Sequence, residues 1–217
     1  FDDIRDGSPY LTAFEDCVLD LSPEMLARAR ETGDIRACFR DGIPEDYITC
    51  STGYKMKDVL DEYHWDHHHV KDVLDSYDMF ETDPEKQVML RRQIASSLYA
   101  SNLRKRKVFI TGPTNNGKSM LCSWWAKALG PTYFPTNVGS NLLYSMDANP
   151  NGPTPSLDSV RFCRVLLQSE ITDQHIMNEG LVKRFTGKVD TIASRAMYAR
   201  KMKSFIPKCT PVTVCNT

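Results

Sequence analysis

The stretch Val108-Phe109-Ile110-Thr111-Gly112-Pro113-Thr114-Asn115-Asn116-Gly117-Lys118-Ser119 decides the fold. Its first four residues are β-branched and aromatic, the composition of a strand. Its last eight are G-x-x-x-x-G-K-[ST], and a helical pattern runs from Lys118 to Leu129, stopped by Gly130-Pro131. Strand, glycine-rich loop and helix in that order turn the string into a phosphate site. Backbone N–H groups of the loop and of the helix N-terminus converge on phosphate oxygens. Lys118 is placed to bridge the β- and γ-phosphates of a nucleoside triphosphate, and the Ser119 hydroxyl to ligate Mg2+. The expected nucleotide-binding residues are therefore Gly112, Pro113, Thr114, Asn115, Asn116, Gly117, Lys118 and Ser119.

Downstream, further strands are expected around Tyr133–Pro135, at Val165–Leu167 and at Pro211–Cys215. Strands alternating with helices point to a parallel α/β sheet. Such a site needs an acid near the metal and the attacking water. The apolar run Arg164-Val165-Leu166-Leu167-Gln168 ends in Ser169-Glu170, which makes Glu170 the candidate general base and metal-side carboxylate. Ser169 cannot bring the charge of an aspartate there. The last strand ends in Asn216, a side chain able to orient water.

Upstream, Pro9–Phe14 and Cys17–Leu21 read as two short strands around an acidic turn, and Ser22-Pro23 as the start of a helix over Met25–Arg30. Residues 31–55 read as irregular. A helix is expected over roughly 67–80, and another from a capping box at Thr82 and Glu85 to about residue 100. The run Arg104-Lys105-Arg106-Lys107 reads as a solvated loop. Trp124-Trp125, in the helix after the glycine-rich loop, reads as core. The histidines 64, 67, 68 and 69 beside Asp66 read as a surface segment, because adjacent helical residues point in different directions.

Charge is distributed unevenly. The 217 residues hold 27 basic and 28 acidic side chains, a net charge of −1. Residues 1–100 carry 11 basic and 22 acidic groups, whereas residues 101–217 carry 16 and 6. Residues 183–217 alone hold eight basic side chains against one acid; on charge alone the asymmetry is read either as two halves that attract each other within one fold or as a polyanion-facing region. The seven scattered cysteines include no C-x-x-C pair, which fits reduced thiols rather than a disulfide framework or zinc site. No apolar run approaches the ~20 residues of a membrane span. The chain opens at Phe1 rather than Met, so the true amino terminus is expected to lie further upstream.

One family unites these features. Lys183, Phe185, Thr186, Gly187, Asp190, Ile192, Arg195, Met197 and Tyr198, then Phe205-Ile206-Pro207 and Asn216, follow the glycine-rich loop and Glu170. That arrangement resembles the superfamily 3 helicases, specifically the primase-helicase ATPases of poxviruses, other large DNA viruses and some phages. Phe14–Leu21 and Pro44–Thr49 look like the segment that precedes the ATPase there. The resemblance implies an α/β P-loop NTPase with an AAA+-like parallel sheet, truncated after the sensor-asparagine strand and preceded by a small mixed α/β and helical region. It implies an N-terminal region over 1–80 and an ATPase domain over 81–217. It also implies a homo-hexameric ring that hydrolyses ATP with Mg2+ and translocates on single-stranded DNA during viral genome replication. Such a ring would be intracellular, without a membrane role, and would have a primase domain in the same chain. Catalysis would fall to Lys118, Glu170 and Asn216, and a hairpin around Lys183–Arg195 would bring Lys183, Arg184 and Lys188 to backbone phosphates.

Three departures qualify the likeness. Lys188-Val189 stands where the family has one glycine, Ser169 stands where an acid or small residue is usual, and the chain stops at Thr217. The family's trans-acting arginine follows the asparagine strand, so the 217 residues are expected to be a fragment with weak or no helicase activity. Two rival readings remain: a P-loop small-molecule kinase, and a nucleotide-binding scaffold that hydrolyses nothing.

Overall fold

The computed structural model describes residues 6–57, 67–102, 104–139, 142–144, 154–169, 176–187, 189–199 and 201–216, with the side chains of 67–70 excepted. The chain divides into two compact units, Phe1–Ala100 with Asn116–Gly130, and Ser101–Asn115 with Pro131–Thr217.

In the first unit, β1 (Leu11–Ala13) and β2 (Val18–Asp20) are the two expected short strands, and they pair antiparallel with Leu11 opposite Asp20. Their turn is closed by the Phe14 N–H donating to the Cys17 carbonyl at 2.9 Å. The Asp16 carboxylate accepts the Met56 and Lys57 N–H groups at 2.8 and 3.0 Å, which ties the acidic turn to a distant segment. Helix α1 (Pro23–Thr32) has its proline in the first turn and ends at Gly33, which adopts φ 70°. The stretch over 31–55 is not wholly irregular. Within it β3 (Phe39–Arg40) pairs with β2 to complete a sheet ordered β1-β2-β3, and 3-10 turns occupy Ile35–Cys38 and Pro44–Asp46. Two residues of strand have too short a pattern to announce themselves; their pairing is decided by Val18 and Leu19 across the sheet. Phe14, Cys17, Leu19, Leu21, Ala29 and Cys38 pack as this unit's core, with Phe39, Tyr54 and Leu98 against it.

Helix α2 spans His67–Asp78. Helix α3 (Pro84–Ser96) is capped by Asp83, not Thr82: the Asp83 carboxylate accepts from the Glu85 N–H at 3.0 Å. Pro84 sits in the first turn, which leaves the residue before it as the cap. The helix also ends sooner than residue 100. Ser96 and Ser97 donate their hydroxyls back to the Gln93 and Ile94 carbonyls, competing with the backbone ladder. The run 104–107 is a loop whose first three residues are exposed. It is organised on buried Asn102, which accepts from the Arg106 N–H and donates to the Arg106 carbonyl.

Helix α4 (Lys118–Tyr133) is broken at Gly130, φ 73° and ψ 168°. A Cβ there would lie 1.8 Å from the Thr52 carbonyl oxygen, so the glycine stop is enforced by close approach as well as by dihedral. Before the break, Leu121, Cys122, Trp125 and Leu129 are buried. Trp125 Nε1 donates to Ser97 Oγ at 2.9 Å, and the Tyr54 hydroxyl to the Ala128 carbonyl at 2.7 Å.

The second unit is built on a parallel sheet ordered β4-β8-β5: β4 (Val108–Gly112), β8 (Thr210–Asn216) and β5 (Val165–Gln168). The central strand pairs Val212 with Val108 and Thr210 with Val165. The strand expected at Tyr133–Pro135 is absent. Tyr133 closes the last turn of α4, and its carbonyl accepts the Arg164 N–H at 2.7 Å. The demand for burial that made this segment look strand-like is met by a turn, with Phe134 only 1% exposed. Two short helices, α5 (Pro155–Ser159) and α6 (Glu179–Thr186), and an antiparallel pair, β6 (Ile192–Ser194) with β7 (Lys203–Phe205), complete the unit. Leu143, Leu157, Val160, Leu166, Phe185 and Ile192 lie at the centre of its core. The fold is mixed α/β with a parallel sheet, compatible with a P-loop NTPase. Among the described residues no helix is long and apolar enough to cross a membrane.

Candidate nucleotide and nucleic-acid sites

Strand β4 ends at Gly112, which lies opposite Asn216, the last residue of β8. The carboxyl ends of parallel strands are where open α/β sheets receive ligands. From Gly112 the chain runs through residues 113–117 directly into α4. Two residues of that loop take left-handed dihedrals, Asn115 at φ 62° and Gly117 at φ 85°. Asparagine tolerates this region and glycine meets no penalty there. Gly117 is constrained twice, because a Cβ would sit 2.5 Å from Phe80 Cε1.

Pro113, Thr114, Asn115, Asn116 and Ser119 are exposed, whereas Lys118 is buried and its Nζ donates to Asn116 Oδ1 at 3.0 Å. The donor set of the loop is one cation, two hydroxyls and two amides, with no carboxylate. Together with the leading N–H groups of a helix, that chemistry fits a polyphosphate and repels nothing anionic. The residues present therefore fit a nucleoside triphosphate.

The acid side of the site is described only in part. Glu170 lies outside the described residues. Before it, β5 ends on Gln168, which is fully buried; its Oε1 accepts the Leu143 N–H at 3.1 Å and its Nε2 donates to the Leu167 carbonyl at 2.9 Å. That glutamine anchors the strand end, and half-buried Ser169 follows it at the same edge of the sheet. Asn216 is exposed.

The basic segment is arranged differently from the expected hairpin over Lys183–Arg195. Lys183 and Arg184 stand in the last turn of α6, exposed, while Leu181 and Phe185 on the other face are buried. The helix is capped by the Asn178 side chain accepting from the Leu181 N–H at 3.0 Å. Its acid at the start and cations at the end both favour the helix dipole. Gly187 follows with an ordinary dihedral, and its reason is close approach: a Cβ would lie 2.2 Å from Asp190 Oδ2. Lys188 lies outside the described residues. The antiparallel pair begins only at Ile192 and returns at Lys203. It is held at its base by Ser194 Oγ donating to Asp158 Oδ1 and by the Arg195 N–H donating to Thr154 Oγ1.

Between those strands the connection 195–202 carries Tyr198, 96% exposed at φ 63°, with Met197 and Met202 also exposed. Lys201, within the connection, and Lys203, the first residue of β7, are exposed. Sequence reasoning named Tyr198 only as part of a motif; the usable signal was an aromatic residue set among cations.

The histidine segment around 64–69 falls outside the residues whose side chains are described, and among the described residues no cluster of three or more His, Cys, Asp or Glu could hold a metal ion. Trp125 is core, as expected, and Trp124 is half-buried, edge-on to Tyr77 and Phe80. All seven cysteines are free. Burial pushes Cys17 and Cys122 up to about 11, and burial with the neighbouring Cys209 thiol holds Cys163 well above its ordinary value. Such thiols are poor nucleophiles.

No protein-family profile matches the chain. The chain is similar to a viral protein, named "Putative helicase", of Acanthamoeba polyphaga mimivirus: 29% identity over 211 residues, 97% of the chain. The chain spans 20% of the length of that protein.

Proposed function

We propose that the chain is the ATPase motor portion of a viral DNA helicase of the superfamily 3, primase-helicase type. In this reading residues 81–217 carry an AAA+-like ATPase module and 1–80 the region ahead of it. The observation that carries it is the glycine-rich loop leaving the carboxyl end of a parallel strand whose last residue, Gly112, pairs with Asn216. The similarity to a viral protein named a helicase supports the same direction.

Each residue then has a task. Backbone groups from Gly112 to Ser119 cradle the phosphates, and Lys118 neutralises the β- and γ-oxygens once it exchanges Asn116 for them. Ser119 supplies a hydroxyl to the metal; bound Mg2+ supplies Lewis-acid stabilisation of charge on the phosphates. Glu170 accepts a proton from the attacking water, and Asn216 orients that water. The cations near the end of α6 and those beside Tyr198 bind single-stranded DNA through phosphates and stacking, a mode independent of sequence. Assembly as a homo-hexamer, a primase domain in the same chain and action at an intracellular viral replication site belong to this reading.

Nucleotide affinity and DNA-stimulated hydrolysis test it together. The parent chain is expected to bind ATP, Lys118→Ala to lose about a hundredfold or more in affinity, and Glu170→Gln to keep binding while losing hydrolysis. Equal hydrolysis by Glu170→Gln and the parent would remove Glu170 from its role and leave a nucleotide-binding scaffold. Transfer of the γ-phosphoryl group to a small acceptor would make the protein a kinase instead.

A further inference from the structure

We propose that Phe80, with Met120 of the first turn of α4, receives the base of the bound nucleotide and sets a preference for purines. The proposal rests on the reading of residues 112–119 as a phosphate site and adds the part of the ligand which that motif does not address.

The geometry begins at Gly117. One edge of the Phe80 ring, Cδ1 to Cε1, lies against this glycine's backbone, at 3.1 and 2.5 Å from where a Cβ would stand. Any side chain at 117 would displace the ring, so a glycine here serves Phe80 as well as the loop's left-handed dihedral. The same ring meets Trp124 edge-to-face, with centroids 5.6 Å apart and planes at 74°. Trp124 is itself braced by Tyr77 at 6.2 Å and 82°. Gly117 and Trp124 are seven residues apart, two turns along one stripe of α4. Phe80 is therefore laid along the stripe that begins at the phosphate loop, in an orientation fixed by two aromatic neighbours.

Packing alone does not use all of this surface. Phe80 is half-buried, and Met120, on the same side of the helix one turn after Gly117, is 54% exposed. Met120 follows Ser119 directly. In a triphosphate held at Gly117–Ser119 one sugar separates the base from the phosphates, so apolar surface beside the first turn of α4 is within the base's reach. An aromatic ring and an open thioether are apolar surface of the kind that lines a base pocket. A site made of ring and sulfur reads π area rather than a hydrogen-bond pattern, and purines offer more of it than pyrimidines.

The test compares affinities of the parent chain, Phe80→Leu, Phe80→Ala and Met120→Ala for ATP, CTP and inorganic tripolyphosphate, by competition at equilibrium. The leucine variant keeps apolar volume beside Gly117 and Trp124 while removing the ring, and nucleotide-free thermal midpoints check that each variant is folded. The parent is expected to prefer ATP over CTP. Phe80→Leu is expected to weaken ATP about tenfold, leave tripolyphosphate within about twofold, and bring the ATP-to-CTP ratio towards one. Met120→Ala should move the same way by a smaller factor. Equal losses for ATP and tripolyphosphate overturn the proposal, because Phe80 would then only shape the loop; unchanged ATP affinity overturns it too. A parent that binds neither ligand overturns the phosphate reading first, a result distinct from either.

Discussion

The two compact units each contain a group of charges that is used in a way the other's is not. In the first, carboxylates are engaged by the chain's own donors. Arg40 is clamped between Asp20 at 3.0 Å and Asp46 at 2.7 Å, with the two acids only 13% and 7% exposed, and Asp78 pairs with Arg91. Asp16 accepts two backbone N–H groups. In the second unit, Lys183 and Arg184 stand exposed in the last turn of α6, and Lys201 and Lys203 are exposed at the end of the connection that carries Tyr198. An acidic first half and a basic second half look like mirror images in composition. Physically these examples differ: Asp20, Arg40 and Asp46 hold a fold together, and Lys183 and Arg184 are presented to solvent, where a polyanion can reach them.

The largest expected effect tests the first half of that contrast. Arg40→Ala leaves two largely buried carboxylates without their shared partner, a loss on the order of 2–3 kcal/mol in urea-denaturation stability. The Arg40 hydrogen bond holds the Asp46 carboxyl below its ordinary 3.8. Burial alone would raise Asp20, but hydrogen bonds from Ser22 and Arg40 outweigh it and lower that carboxyl as well. A carboxylate whose folded value is depressed stabilises the fold fully above its unfolded value and loses that contribution as pH falls through the folded one. The parent should therefore lose stability below pH 3.8 more steeply than Asp46→Asn, which has already given up this term. Parallel acid-unfolding profiles for the two would show that these charges do not hold the unit.

The second test crosses to the other unit and should move binding rather than stability. Tyr198 is 96% exposed and rests on no core, so Tyr198→Ala should leave the thermal midpoint nearly unchanged. Loss of one stacked base costs about 1–2 kcal/mol, which predicts a roughly tenfold weaker affinity for oligo-dT in fluorescence anisotropy. A drop in the thermal midpoint with unchanged DNA affinity would assign Tyr198 to structure and remove the contrast at its clearest point.

How much of this was legible in the sequence follows from the range of the interactions. β4, the glycine-rich loop, the stop at Gly130 and the strands β5 and β8 were readable because each is written in neighbouring residues. The cap at Asp83 was readable too, since Pro84 in the first turn of α3 marks the residue before it; the capping-box pattern at Thr82 simply competed with that signal. What escaped was set at long range. Phe39–Arg40 becomes a strand because Val18 and Leu19 need a partner, and Tyr133–Phe134 becomes a turn because burial there required no ladder. The same holds within the candidate site. The loop residues declare themselves, but the approach of Phe80 to Gly117 joins positions 37 residues apart, and no local pattern announces it.

The smallest effects sharpen the contrast most, because they separate a charge that recognises from a charge that folds. Lys183 is 78% exposed and its one described ion pair, with Glu179 at 3.6 Å, is 75% exposed on the other side. A pair so hydrated contributes little, so Lys183→Ala and Arg184→Ala should each stay within about 0.5 kcal/mol of the parent in unfolding. Neither residue reads a base if its partner is a phosphate, so each should weaken single-stranded DNA uniformly across sequences. A phosphate contact also has a signature that packing lacks: losing one lowers the slope of log affinity against log salt by about 0.7. The double variant should thus shift that slope by roughly twice as much while melting with the parent. An unchanged salt slope would place the phosphate contacts elsewhere on the unit, and Lys201 and Lys203 at the end of the connection that carries Tyr198 would be the next residues to probe in the same way.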